Sequence, residues 1–206
     1  MSTRPRTERR FRNVIMPTSA HPAIRRVRRQ GNQPTIHGNK LWKSSCLLID
    51  YLGKNRPEHT STVMDVGCGW GIGGIWCARH LGSQVTSMDA DPKVFPYLDA
   101  VAELNGVQTD HLVSRFENLT TRQLSRYDML IAADICFWDE LVEPVSAMID
   151  RAVTAGVKHI LISDPERSTF LEMAAACQEK YAAEVFDWRA RGSIDARGAI
   201  LLLENA

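Results

Sequence analysis

The chain has 206 residues, 25 Lys and Arg against 24 Asp and Glu, and an apolar content of 44%. A single domain of this length buries roughly 70% of its unfolded surface, and such a composition excludes a disordered or fibrous chain. No apolar run approaches the roughly 20 residues of a membrane span. Five cysteines (Cys46, Cys68, Cys77, Cys136, Cys177) without CxxC spacing argue against a disulfide framework and a zinc site. No metal and no membrane association are therefore expected, and a reducing, cytoplasmic setting is. Charge is unevenly placed: residues 1–30 carry nine arginines against Glu8, a charge of +8 that leaves −7 on the rest. With Pro17, Pro22 and Pro34 and few apolar residues, 1–36 reads as a flexible basic arm ahead of a domain at 37–206. Such an arm suits nucleic acid, an acidic protein, organelle targeting or the chain's own acidic body.

Along the domain, Leu41, Cys46, Leu48 and Tyr51 recur at helical spacing, which predicts a leading helix over 39–52 ending at Gly53. A strand at 62–66 runs into glycines and a helix at 70–81, the start of an α/β unit. A strand at 84–89 follows, then a helix opened by Asp91-Pro92 and closed by Asn105-Gly106. A short strand lies at 111–114. Residues 127–133 are almost continuously apolar, as suits a parallel strand buried on both faces. A helix at 140–155, a strand at 159–163 and a helix at 168–181 complete the alternation. The last strands, near 184–188 and 199–203, have no helix between them and must be antiparallel neighbours. The expected fold is α/β: a three-layer, Rossmann-like, seven-stranded, mostly parallel sheet with an antiparallel C-terminal hairpin.

Met64-Asp65-Val66-Gly67-Cys68-Gly69-Trp70-Gly71 places glycines where a buried strand turns into a helix, so a ligand can approach the main chain closely. Asp89 ends the next strand, where a carboxylate can accept both hydroxyls of a ribose. Gly69, Gly71 and Gly74 also satisfy GxGxxG, but Asp65 just ahead of the turn would repel a pyrophosphate. A sulfonium cofactor bearing an ammonium tolerates carboxylates, which favours S-adenosyl-L-methionine.

Asp65-Val66-Gly67-Cys68-Gly69, Asp89 and Asp134 resemble the cofactor motifs of class I methyltransferases. Leu41-Trp42, Ala133-Asp134-Ile135-Cys136-Phe137 and Ser163-Asp164-Pro165-Glu166-Arg167 are similar to the protein-lysine methyltransferase group that includes the electron-transfer-flavoprotein lysine methyltransferases. Phe137 stands here where that group's Asp-x-x-Tyr stretch has its tyrosine. The resemblance implies a cofactor site of Trp42, Asp65, Gly67, Cys68, Gly69, Asp89, Ala90, Phe116 and Asp134, with Trp42 bordering the cofactor and Phe116 near its adenine. It also implies methyl transfer to a protein lysine. Asp134 is the candidate to orient the amine, with a helix cap or a cofactor contact as its alternatives. Asp164, Glu166 and Arg167 suit a charged acceptor or cap the following helix.

A small-molecule N- or O-methyltransferase remains an alternative. Nucleic-acid methylation has the arginine arm in its favour but lacks an Asn/Asp-Pro-Pro-aromatic signature at 134–137. A non-catalytic module with a vestigial cofactor pocket is the reading from a different class.

Overall fold

The computed structural model describes residues 7–35, 38 and 40–205. The arm departs from expectation. Residues 1–6 and 36 lie outside the described residues, but 7–35 contain strands β1 (Glu8–Phe11) and β2 (Val14–Pro17) and helix α1 (Pro22–Arg29). The strands pair antiparallel around Arg12-Asn13, both at positive φ (45° and 62°), the geometry of a two-residue type I′ hairpin. His21 accepts from the Ala23 N–H at the start of α1, with Pro22 at its first position. Phe11, Val14, Met16, Ile24 and Val27 are buried against the body while four arginines of α1 face solvent. Polar contacts with the body reinforce this packing, among them the Ser193 hydroxyl donating to the Arg10 carbonyl. Asn105 exchanges hydrogen bonds with the Ile15 main chain (2.8 and 3.0 Å). Asp50, fully buried, receives Arg12, Lys54 and the Trp188 indole N–H. These donors outweigh the burial that would raise the Asp50 carboxyl, and hold it below its usual range.

The body follows the predicted alternation: α2 (Ser44–Lys54), β3 (Thr62–Val66), α3 (Ile72–His80), β4 (Gln84–Asp89), α4 (Phe95–Asn105) and β5 (Asp110–Val113). Then come α5 (Thr121–Leu124), β6 (Met129–Ala133), α6 (Val142–Thr154), β7 (His159–Asp164), α7 (Ser168–Lys180), β8 (Ala183–Ala190) and β9 (Ala196–Glu204). The order across the seven-stranded sheet is β5-β4-β3-β6-β7-β9-β8, with β3 to β7 parallel and β9 antiparallel to both β7 and β8. Gly106 and Gly156, at φ 67° and 79°, follow the ends of α4 and α6 as read from sequence. The leading helix differs: Asn39, its expected start, lies outside the described residues, and the helix starts only at Ser44 and runs through Gly53, which leaves Leu41 and Trp42 in the segment before it.

Successive residues of each strand serve opposite faces. Val63 and Ile131 join α2, α3, α4 and the N-terminal elements on one side, while Met64, Val66 and Leu130 join α6 and α7 on the other. Because β4 and β5 lie on one side of β3 and β6 on the other, the sheet reverses its winding between β3 and β6. The carboxyl edge beside such a point is where open α/β sheets form a ligand crevice. Among the described residues no helix is long and apolar enough to cross a membrane. None of their His, Cys, Asp and Glu side chains cluster in threes that could hold a metal ion. All five cysteines are free thiols.

Candidate active site

A cavity opens at this edge, and every residue expected to contact the cofactor borders it: Trp42, Asp65, Gly67, Cys68, Gly69, Asp89, Ala90, Phe116 and Asp134. The parallel register aligns Val66 with Met88 and Ala132, so Gly67, Asp89 and Ala133 stand at one level at the ends of three adjacent strands. After β3 the chain turns through Gly67 and Gly69 at φ 63° and 52°. A Cβ at Gly67 would lie 2.7 Å from the Ile135 side chain, whereas one at Gly69 would stand in open space. Gly67 is thus needed for packing, and Gly69 for its left-handed backbone. The Gly69 N–H donates to Asp89 Oδ2 (3.0 Å), and the Asp91 N–H to Asp89 Oδ1 (2.9 Å), which ties the glycine turn to the end of β4.

Asp65 is buried beneath the turn and accepts from the Gly74 N–H (2.9 Å). A Cβ at Gly74 would reach within 3.0 Å of that carboxylate, so α3 sits close on β3 because the residue is glycine. Burial pushes the Asp65 carboxyl up to about 7 and raises that of Asp89 as well. Two carboxyls at a glycine turn disfavour the double charge of a pyrophosphate and accommodate a cationic ligand. The open main chain at Gly69 and the Asp89 carboxylate fit the ribose and sulfonium of S-adenosyl-L-methionine. Phe116 opens a short 3₁₀ turn after β5, held from behind by Arg151 through the Phe116 and Leu119 carbonyls (2.7 and 2.8 Å). Trp42, half-buried, carries the Lys40 ammonium 4.0 Å from its ring centre.

Across β3 from Asp89, Asp134 follows the end of β6 in left-handed conformation (φ 65°), tolerable for aspartate and typical of a functional turn. Its Oδ2 accepts from the Ser44 hydroxyl (3.0 Å) and its Oδ1 is ion-paired with the Arg167 guanidinium. Arg167 in turn binds Asp164 Oδ2 (2.9 Å), and its N–H donates to Asp164 Oδ1 (2.8 Å). Burial lowers the Arg167 pKa, but Asp134 and Asp164 outweigh it and raise it overall. Asp164, read from sequence as contacting the acceptor, does not border the cavity. It is buried behind Arg167, and burial pushes it up to about 6. Sequence reasoning placed Arg167 nearby but missed that it bridges the two aspartates. It also missed Ser44, whose carbonyl further accepts from Ser163 (2.8 Å). Phe137 and Trp138, packed edge to face with ring centres 4.7 Å apart, line the cavity beside Asp134.

Residues 26–189 match the model of a family described as lysine methyltransferase. Over 102 residues the chain is 28% identical to a ubiquinone biosynthesis O-methyltransferase of Xylella fastidiosa, across 50% of this chain and 40% of that protein. It is also 28% identical over 108 residues to the electron transfer flavoprotein beta subunit lysine methyltransferase of Xenopus laevis, across 52% of this chain and 43% of that one. The chain thus spans less than half the length of these curated relatives. The structure of a T. thermophilus 16S rRNA N2 G1207 methyltransferase in complex with AdoMet and guanosine superposes on 97% of this chain and 50% of that one, with a TM-score of 0.63 at 19% identity. At that identity it shows a shared fold.

Proposed function

The chain belongs to this lysine methyltransferase family, and on that premise we propose that it transfers a methyl group from S-adenosyl-L-methionine to the side-chain amine of a protein lysine. The observation that carries the reading is Asp134: a buried carboxylate at the cavity wall, held through one oxygen by Ser44 and through the other by Arg167. S-adenosyl-L-methionine supplies an electrophilic methyl carbon. Asp89 would hold the ribose hydroxyls, the Gly67 to Gly69 main chain would admit the sulfonium end, and Phe116 would border the adenine. What remains for the protein is alignment and exclusion of water. A lysine ammonium, with a reference pKa near 10.4, must lose a proton to solvent before its lone pair can bond the methyl carbon, the electrons of the broken C–S bond staying on sulfur in the demethylated product. Asp134 accepts one remaining N–H and so points the lone pair across β3, while Phe137 and Trp138 cover the methylene stem. Asp164 acts at one remove, by holding Arg167.

Incubation with methyl-labelled cofactor and fractionated host extract tests this. The expected outcome is label in the protein fraction. Label confined to small molecules would instead favour the O- or N-methylation of a metabolite.

A further inference from the structure

A second cavity lies between the N-terminal hairpin and the segment ahead of α2. Its polar lining includes the cations Arg9, Lys40 and Lys43 and no carboxylate, on a body whose charge outside residues 1–30 is −7. Its floor is apolar, from Met16, Cys46 and Ile194. Lys40, Leu41, Trp42 and Trp70 line both cavities, so the two share a wall. The Trp70 indole N–H donates to the Gly38 carbonyl (2.8 Å), which pins this wall to the body. Lys40 stands over Trp42. Among the described residues, neither Arg9 nor Lys43 has an ion-pair partner, although both are exposed.

We infer that this second cavity is a subsite for an acidic side chain of the protein substrate, on a residue near the lysine presented to the first cavity. The inference rests on the lysine reading above and adds a sequence preference to it. Exposed Arg9 and Lys43, with Lys40 over Trp42 beside them and no carboxylate in the lining, offer donors that bind a carboxylate by charge-assisted hydrogen bonds. The apolar floor takes the methylenes of glutamate, which an open phosphate-binding surface would not require. The hairpin that supplies Arg9 stands over the body because Asp50 and Asn105 hold it, so the subsite exists only while the N-terminal elements are docked.

A lysine-centred peptide library with Glu, Gln or Lys at each flanking position, assayed with labelled cofactor, reads this directly. At one or two positions Glu is expected to lower KM about tenfold relative to Gln with kcat unchanged, the effect of one charge-assisted hydrogen bond. That preference should fade at about 0.5 M salt. The exposed pair Arg9→Gln with Lys43→Gln should abolish it without changing the melting temperature, and Arg29→Gln should leave it intact. The salt titration on the unmodified chain serves if the double variant does not fold. Peptides methylated with no preference for Glu, or a preference that survives both high salt and the double variant, would overturn the subsite alone. No peptide methylated despite cofactor binding, or label entering an RNA pool instead, would overturn the lysine reading and the subsite with it.

Discussion

Asp89 and Asp134 stand on opposite sides of β3 with different hydrogen-bond partners, and the proposed function gives them different work. Asp89→Ala removes a carboxylate that would accept ribose hydroxyls and also frees the Gly69 N–H. At about 1.5–3 kcal/mol for each hydrogen bond to a charged acceptor, cofactor affinity should fall at least tenfold. Calorimetry with the demethylated product checks this, and unchanged affinity would contradict it. Asp134→Asn keeps an acceptor for Ser44 but loses the charge facing Arg167. Single-turnover rates at saturating cofactor should drop roughly 10²- to 10⁴-fold with cofactor affinity preserved. Near-normal turnover with weakened cofactor binding would move Asp134 to the cofactor shell. Asp65 makes a thermodynamic prediction. Its folded pKa of about 7 lies above the usual 3.8, so the folded chain binds this proton more tightly than the unfolded one. The stability it contributes is full below about pH 4 and is lost as pH rises through 7. Between pH 4 and 8 the melting temperature should therefore decline more in the unmodified protein than in Asp65→Asn, where the Gly74 N–H keeps an acceptor. Parallel profiles would refute the buried acid. The residues of the glycine turn were legible because strand, glycine and acid are contiguous there. The Asp134–Arg167–Asp164 bridge was not, since its pairing depends on β6 and β7 being neighbours in the sheet.

At the scale of elements, the body was legible and the N-terminal segment was not, for a physical reason. Continuous apolar strands and helices closed by glycine, such as α4 ahead of Gly106, announce themselves locally. The hairpin has four-residue strands interleaved with arginine, and its type I′ turn is Arg12-Asn13 rather than the commoner Asn-Gly. Its stability comes from Asp50 and Asn105, which are distant in sequence. Five buried apolar side chains, from Phe11 to Val27, are each worth about 1.5–3 kcal/mol. Even as an upper estimate, this rivals the roughly 5–15 kcal/mol net stability of a whole domain. Deleting residues 1–30 should thus lower the melting temperature by more than about 10 °C or abolish cooperative unfolding. An unchanged transition would mean that the hairpin and α1 do not dock in solution.

For the molecule as a whole, the charge asymmetry seen in the sequence becomes a spatial one. The basic hairpin and helix cover one side of an acidic body and, through Arg9, reach the neighbourhood of the cavity. The cofactor half of the site could be read from β3 and β4 because its chemistry sits in one contiguous unit. The proposed acceptor half gathers Asp134 and Phe137 with Ser44 and Arg167 from three separate stretches of chain: the stretches around Asp134 and Arg167 carried a resemblance in the sequence, but the hold that Ser44 and Arg167 keep on Asp134 appears only in their assembly. The most direct test of lysine methylation is therefore the identity of the modified atom. Protein from host extract that becomes labelled on incubation with this chain and methyl-labelled cofactor, hydrolysed and resolved by mass spectrometry, should yield Nε-methylated lysine. Label on a carboxyl, hydroxyl or thiol instead, or none in protein while the cofactor binds, would contradict it.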